Sequence, residues 1–203
     1  MLVCSTPVPP ARASAIVING HVLAPHPRLL WTAADLKIRR RNAVDVSVAV
    51  ARADSVLVKT HTLNDSLYFV EYPDPQQPHR RLTHHQWPYW TLLTRELDGD
   101  IEALAYAWQL THRHAYFERC RRLTLALSNW WYWTDLDYGL QPCMDTAYLT
   151  KSTAVAYDCL YDSLSAADRT TISSAIVLKG VEFMRRNALD PKSYLYLPSG
   201  SPN

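Results

Sequence analysis

Glycine is scarce. Five glycines stand against 13 prolines in 203 residues. All-β sandwiches and barrels spend many glycines on tight turns, so this composition leans toward helices. A strong charge of one sign is missing too. The 21 Lys+Arg and 19 Asp+Glu leave a formal net charge of +2, which gives no general electrostatic case for a nucleic-acid partner. No stretch approaches the roughly 18 apolar residues of a membrane helix, so no membrane partner is expected. A charged share of 20% beside a hydrophobic share of 48% excludes wholesale disorder. Cys4, Cys120, Cys143 and Cys159 show no C-x-x-C spacing, so metal or redox use is unsupported and buried free thiols are the simpler reading. The opening Met1-Leu-Val-Cys-Ser-Thr-Pro lacks the charged and apolar regions of a signal peptide. Either the protein stays inside the cell or an exporting segment is absent from this chain.

What is present is aromatic and helical. Seven Trp and 12 Tyr suit either core filling or a platform for sugar rings. Residues 1–28 hold five prolines and read as an extended lead-in, followed by one domain over 29–203. Thr32-Ala-Ala-Asp35 is a capping-box start, and residues 33 to about 58 read as one helix, although Val44, Val46, Val48 and Val50 alternate as in a strand. Pro73, Pro75, Pro78 and Pro88 exclude regular structure over most of 71–88. Leu93, Leu97, Ile101, Leu104 and Trp108 form one apolar stripe. After a break at Thr111–Arg113, Phe117, Cys120, Leu123, Leu127 and Trp131 repeat it, so the two helices make an antiparallel hairpin. Residues 145–162, then a helix capped by Ser165-Ala-Ala-Asp168 and running to about Asn187, form a second hairpin. Similar hairpins in series predict a repeated array. The tail 188–203 reads as a loop.

Four stretches, in order, resemble the heparinase II/III-like polysaccharide lyases. His26-Pro-Arg-Leu-Leu-Trp-Thr-Ala-Ala-Asp-Leu36 resembles that family's "HPRLLF-T--DL" opening. Leu104-Ala-Tyr-Ala-Trp-Gln-Leu-Thr111 with Tyr116-Phe-Glu-Arg-Cys-Arg-Arg-Leu123 is similar to "LAYAYLLTGDEKYLERA". Met144-Asp-Thr-Ala-Tyr-Leu149 is similar to "LDTAEM", and Ala156-Tyr-Asp-Cys-Leu-Tyr-Asp-Ser-Leu-Ser165 to "AYDWLYDALS". Order and spacing agree from residue 26 to the end, about seven-eighths of the chain. Two departures stand out: the family's Gly-Asp turn is His112-Arg113, and the Glu of "LDTAEM" is Tyr148. The resemblance implies an all-α fold, an incomplete α/α toroid of serial antiparallel hairpins. It also implies cleavage of a uronate-containing acidic polysaccharide by β-elimination, no cofactor, and a periplasmic or extracellular setting. A toroid of five or six hairpins needs roughly 300 residues, so the chain reads as its front portion, inactive alone and prone to self-association through uncovered hairpin faces.

β-Elimination removes the C5 proton of a uronate, which becomes acidic only when donors neutralise the neighbouring carboxylate. In the family an Asn, a Tyr and a His share this work. Asn203 matches the start of the Asn-containing motif and is the one catalytic candidate, with a plain terminal loop residue as the alternative reading; no residue matches the Tyr or the His. The linker 129–145 corresponds to a loop lining the family's cleft, which makes Trp131, Trp133, Tyr138, Gln141 and Asp145 the substrate-binding candidates. Packing between hairpins is the plainer role for those aromatics. Asp135, Asp137 and Asp145 also suit the carboxylate pair of a glycoside hydrolase on the same scaffold, or simple helix capping. A non-catalytic carbohydrate-binding module is the remaining alternative. His84-His85 and His112-x-His114 lack a third ligand at zinc spacing, so no metal is assigned. Arg39-Arg-Arg41, Arg80-Arg81, Arg119/Arg121/Arg122 and Arg185-Arg186 suit either a basic cleft or solvated helix faces.

Overall fold

A computed structural model describes residues 17–19, 21–64, 69–73, 81–85, 88–134, 142–193 and 195–196. The fold is all-α. Two short β pairs accompany the helices: β1 (Val17–Ile18) with β2 (His21–Val22), and β3 (Phe69–Pro73) with β4 (Arg81–His85), both antiparallel. Part of the lead-in is thus a short pair of extended strands, and the proline-rich stretch is not wholly irregular. Pro73 pairs with Arg81 at the end of a two-stranded ladder, where a missing N–H is tolerated.

Thr32 caps α1 (Ala33–Arg39) reciprocally: its hydroxyl accepts from the Asp35 N–H, and the Asp35 carboxylate accepts from the Thr32 N–H. The expected single helix over 33–58 is two. Asn42 accepts the amides of Val44 and Asp45 and, as an N-cap, starts α2 (Ala43–Leu57) anew. Helix α3 (Tyr89–Thr111) begins one turn earlier than the stripe suggested, with Pro88 before its first turn, where no N–H is needed. It ends at His112, whose φ of 54° supplies the left-handed residue that glycine usually provides.

Helix α4 (His114–Asn129) buries Phe117, Cys120, Leu123 and Leu127 as the pattern predicts, but it ends before Trp131. Trp130 leaves in extended backbone, so Trp130 and Trp133 enter the core while Trp131 turns outward. Helix α5 (Met144–Leu160) follows, then a tight turn at Tyr161–Ser163. The last rod is α6 (Ala166–Ala175), a π-helical stretch (Ile176–Val181) and α7 (Glu182–Leu189). At Gly180 an added Cβ would stand 2.5 Å from the Thr150 hydroxyl, so glycine alone permits this approach to α5.

Hydrogen bonds set the helix directions. Thr94 near the start of α3 meets Asp145 at the start of α5, Lys151 meets Asp98, and Gln109 near the end of α3 meets the Cys159 carbonyl at the end of α5. These two helices are parallel, and their contact is the most extensive between helices. Likewise Arg121 of α4 meets Asp168 of α6, and Lys179 meets the Ser128 carbonyl near the end of α4. Helix α2 runs along α4 in the same sense, with Asp54 against Tyr116 and the Lys59 carbonyl accepting from Arg119. The result is two layers, α2–α4–α6/α7 and α3–α5, with each chain-adjacent pair antiparallel. Their shared interior holds Trp90, Leu97, Ile101, Leu104, Tyr116, Leu127, Leu149 and Ile172. No helix among the described residues is long and apolar enough to cross a membrane.

The N-terminal segment is fastened to α5. Asp158 accepts from His26 Nδ1 at 2.5 Å and from the Arg28 and Leu29 amides at 2.8 Å, while Tyr161 stacks on the His26 ring. The His-Pro-Arg stretch and the Tyr-Asp-Cys stretch, far apart in sequence, thus meet through one carboxylate.

Candidate functional site

The described candidates do not share one place: Asp145 opens α5, while Trp131 and Trp133 follow the end of α4. Asp145 is 3% exposed, and both its oxygens are engaged by α3, Oδ1 by the Thr94 hydroxyl at 2.7 Å and Oδ2 by that of Thr91 at 3.0 Å. Its expected place in an open cleft gives way to a buried tie between helices, because α3 and α5 run side by side from their first turns. Trp133 is 1% exposed, with its indole N–H donated to the Leu127 carbonyl, and offers no face to a sugar. Trp131 is 78% exposed. Asn203, Tyr138, Gln141, Asp135 and Asp137 lie outside the described residues.

One turn beyond Asp145, the Tyr148 ring has two cations near it. The Arg95 guanidinium carbon lies 5.8 Å and the Lys151 ammonium 5.9 Å from its ring centroid. Lys151 is balanced by Asp98 at 2.9 Å and Glu102 at 3.2 Å, whereas Arg95 has no ion-pair partner among the described residues. An aromatic ring with positive charge beside it suits an anionic sugar: the ring takes the C–H face and the cations take a carboxylate. Sequence reasoning met Tyr148 only as a departure from a motif. Its i, i+3 spacing to Lys151 was readable, but the approach of Arg95 from α3 was not.

Three phenols and two thiols on this scaffold are held in their neutral forms. Burial first, and the Glu102 charge second, push the Tyr106 phenol up to about 12. Burial likewise raises Tyr116 and Tyr157, lifts the Cys120 thiol to about 12 and raises that of Cys159. None of these phenols is a ready base and neither thiol a ready nucleophile.

The described group with metal-ligand geometry is His61, Glu96 and Asp100. Lys59 already supplies its cation: Nζ is 2.8 Å from Asp100 and 3.2 Å from Glu96. Arg119 donates to His61 Nδ1 at 2.6 Å, so Nε2 carries the hydrogen donated to Asp100 at 2.8 Å. An internal ammonium and a fixed tautomer make this a structural charge network. His112 and His114 diverge: His112 packs edge-on to Trp108, and His114 faces Glu118. His84 and His85 lie on β4. Arg80 lies outside the described residues; the arginines described with their side chains do not all converge on one cleft. Arg39 sits over Trp31, Arg40 donates to the Gln109 carbonyl, Arg121 pairs with Asp168 and Arg185 with Glu182.

No family model and no curated protein matches this chain.

Proposed function

We propose that this chain is a helical-repeat portion of a polysaccharide lyase acting on uronate-containing polymers, and that its described helices hold the polymer. The observation that carries the reading is the Tyr148 ring with Arg95 and Lys151 both within 6 Å of its centroid on the α3–α5 layer. Further support comes from the two-layer order of parallel alternate helices, which is how hairpins stack in an α/α toroid, and from the motif order set out above. Trp131, exposed at the exit of α4, supplies a second aromatic surface. In this reading the described residues bind and orient substrate, and the setting is wherever such polymers occur, outside the cytoplasm.

Affinity electrophoresis in gels containing alginate, hyaluronan or dextran tests it. The acidic polymers should retard the wild-type chain and neutral dextran should not. Tyr148→Ala and Arg95→Ala should each weaken retardation about tenfold, without loss of melting temperature. Equal retardation in dextran, or variants indistinguishable from wild type, would sink the reading. Formation of a C4–C5 double bond in the product, read by ultraviolet absorbance, separates lyase action from hydrolysis in any active form of the protein.

A further inference from the structure

A hollow of about 390 Å³ lies against α4 beside the end of α2, lined by Leu57, Glu118, Arg119, Arg121 and Arg122 among others. It is on the layer that does not carry Tyr148. Its three guanidinium groups are not alike. Arg121 is held by Asp168 through two hydrogen bonds, at 2.8 and 3.1 Å, and approaches Glu118 at 3.9 Å. Arg119 spends one terminal nitrogen on the Lys59 carbonyl and His61 Nδ1, while its buried Nε has no partner. Arg122 has no hydrogen-bond or ion-pair partner among the described residues.

The electrostatics are correspondingly unbalanced. Burial, and then the charge of Arg122, push the Arg119 guanidinium below its ordinary range; Asp100, reached through His61, offsets this only in part. Glu118 is shared with Arg121 and His114. Two adjacent guanidinium groups that repel each other, in a concave site with few acids, lack an anion.

We infer that this hollow binds a tetrahedral oxyanion, phosphate or sulfate, as the free ion or as a monoester. Arg122 supplies an uncommitted planar fork and Arg119 the second positive charge, while Leu57 closes one side. A tetrahedral dianion uses more donors and balances more charge than a carboxylate does. The inference stands apart from the polymer reading, because it uses another layer and other residues.

Calorimetric titration and thermal melting with sodium phosphate, sodium sulfate and sodium chloride at matched ionic strength test it. Phosphate and sulfate should bind saturably and raise the melting temperature above the chloride value. Sulfate also favours burial generally, so variants decide. Arg122→Gln should weaken phosphate binding at least about tenfold. Arg122→Lys, which keeps the charge but loses the fork, should fall between. Arg41→Gln, the same charge change at an exposed site elsewhere, should bind as wild type does. Glucose 6-phosphate binding as tightly as phosphate would identify an ester ligand, and binding of phosphate alone the free ion. No saturable binding, or equal stabilisation of wild type and Arg122→Gln, overturns the inference. Tyr148→Ala should leave phosphate affinity unchanged, so failure here is distinguishable from failure of the polymer reading.

Discussion

His112 carries the turn of the central hairpin at φ 54° and ψ 24°, with its N–H on the Trp108 carbonyl at 2.8 Å. A side chain there costs about 1–2 kcal/mol, because Cβ crowds the following carbonyl. The ring regains part of that by packing edge-on to Trp108. Comparing His112→Gly with His112→Ala removes the ring from both and isolates the Cβ. The glycine variant should melt about 2–4 °C above the alanine variant; alanine equal or higher would show that the backbone is unstrained. The burial of Asp145 belongs to this scale as well. Nothing local marks that carboxylate as buried, since Met144-Asp-Thr reads like any helix start. Only the hydroxyls of Thr91 and Thr94, some fifty residues earlier, turn it into a tie between helices.

Helices α4 and α6 are joined by one strong pair. Arg121 holds the Asp168 carboxyl below the ordinary carboxylate range, with further help from Ser165. A lowered folded value means that the contribution is complete above the unfolded carboxylate pKa of about 3.9 and is lost as pH falls through the folded value. Arg121→Gln should therefore lower the melting temperature at pH 6, and the gap to wild type should shrink as pH is brought from about 5 to about 2. A gap independent of pH would remove Asp168 from the account. At this scale the sequence was largely legible. The stripe from Leu93 to Leu104 and the caps at Thr32 and Ser165 located α3, α1 and α6, because amphipathic period and capping are local chemistry. The break at Asn42 is not legible in the sequence because no Gly or Pro marks it and the helical period runs on through it. The π-helical stretch has no local signal in the sequence; within it Gly180 lies against Thr150 of α5.

Across the whole molecule, Asp158 ties the N-terminal segment to α5 across 129–132 positions of sequence. Asp158→Ala leaves three part-buried donors without their acceptor, each loss worth at most about 1–3 kcal/mol. Amide hydrogen exchange at Arg28 and Leu29 should accelerate more than tenfold, while exchange in the middle of α3 changes less. Unaltered protection at those two amides would show that the segment is held by other contacts. The layered order of the helices rests on similar long-range bonds. Gln109 to the Cys159 carbonyl and Lys151 to Asp98 make α3 and α5 parallel neighbours, and no stretch of sequence states that pairing.

Helix content, the hairpin turns and most of the buried stripe followed from the chain alone, because each depends on spacing within a few turns. Which aromatics face solvent, which acids are sequestered and which arginines stay unpaired was decided by packing. Trp131 and Trp133, two residues apart, ended in opposite environments, and Arg121 and Arg122, adjacent in sequence, in opposite electrostatic states. The physical reason is that exposure and charge pairing depend on what a second helix brings, and that helix comes from elsewhere in the chain.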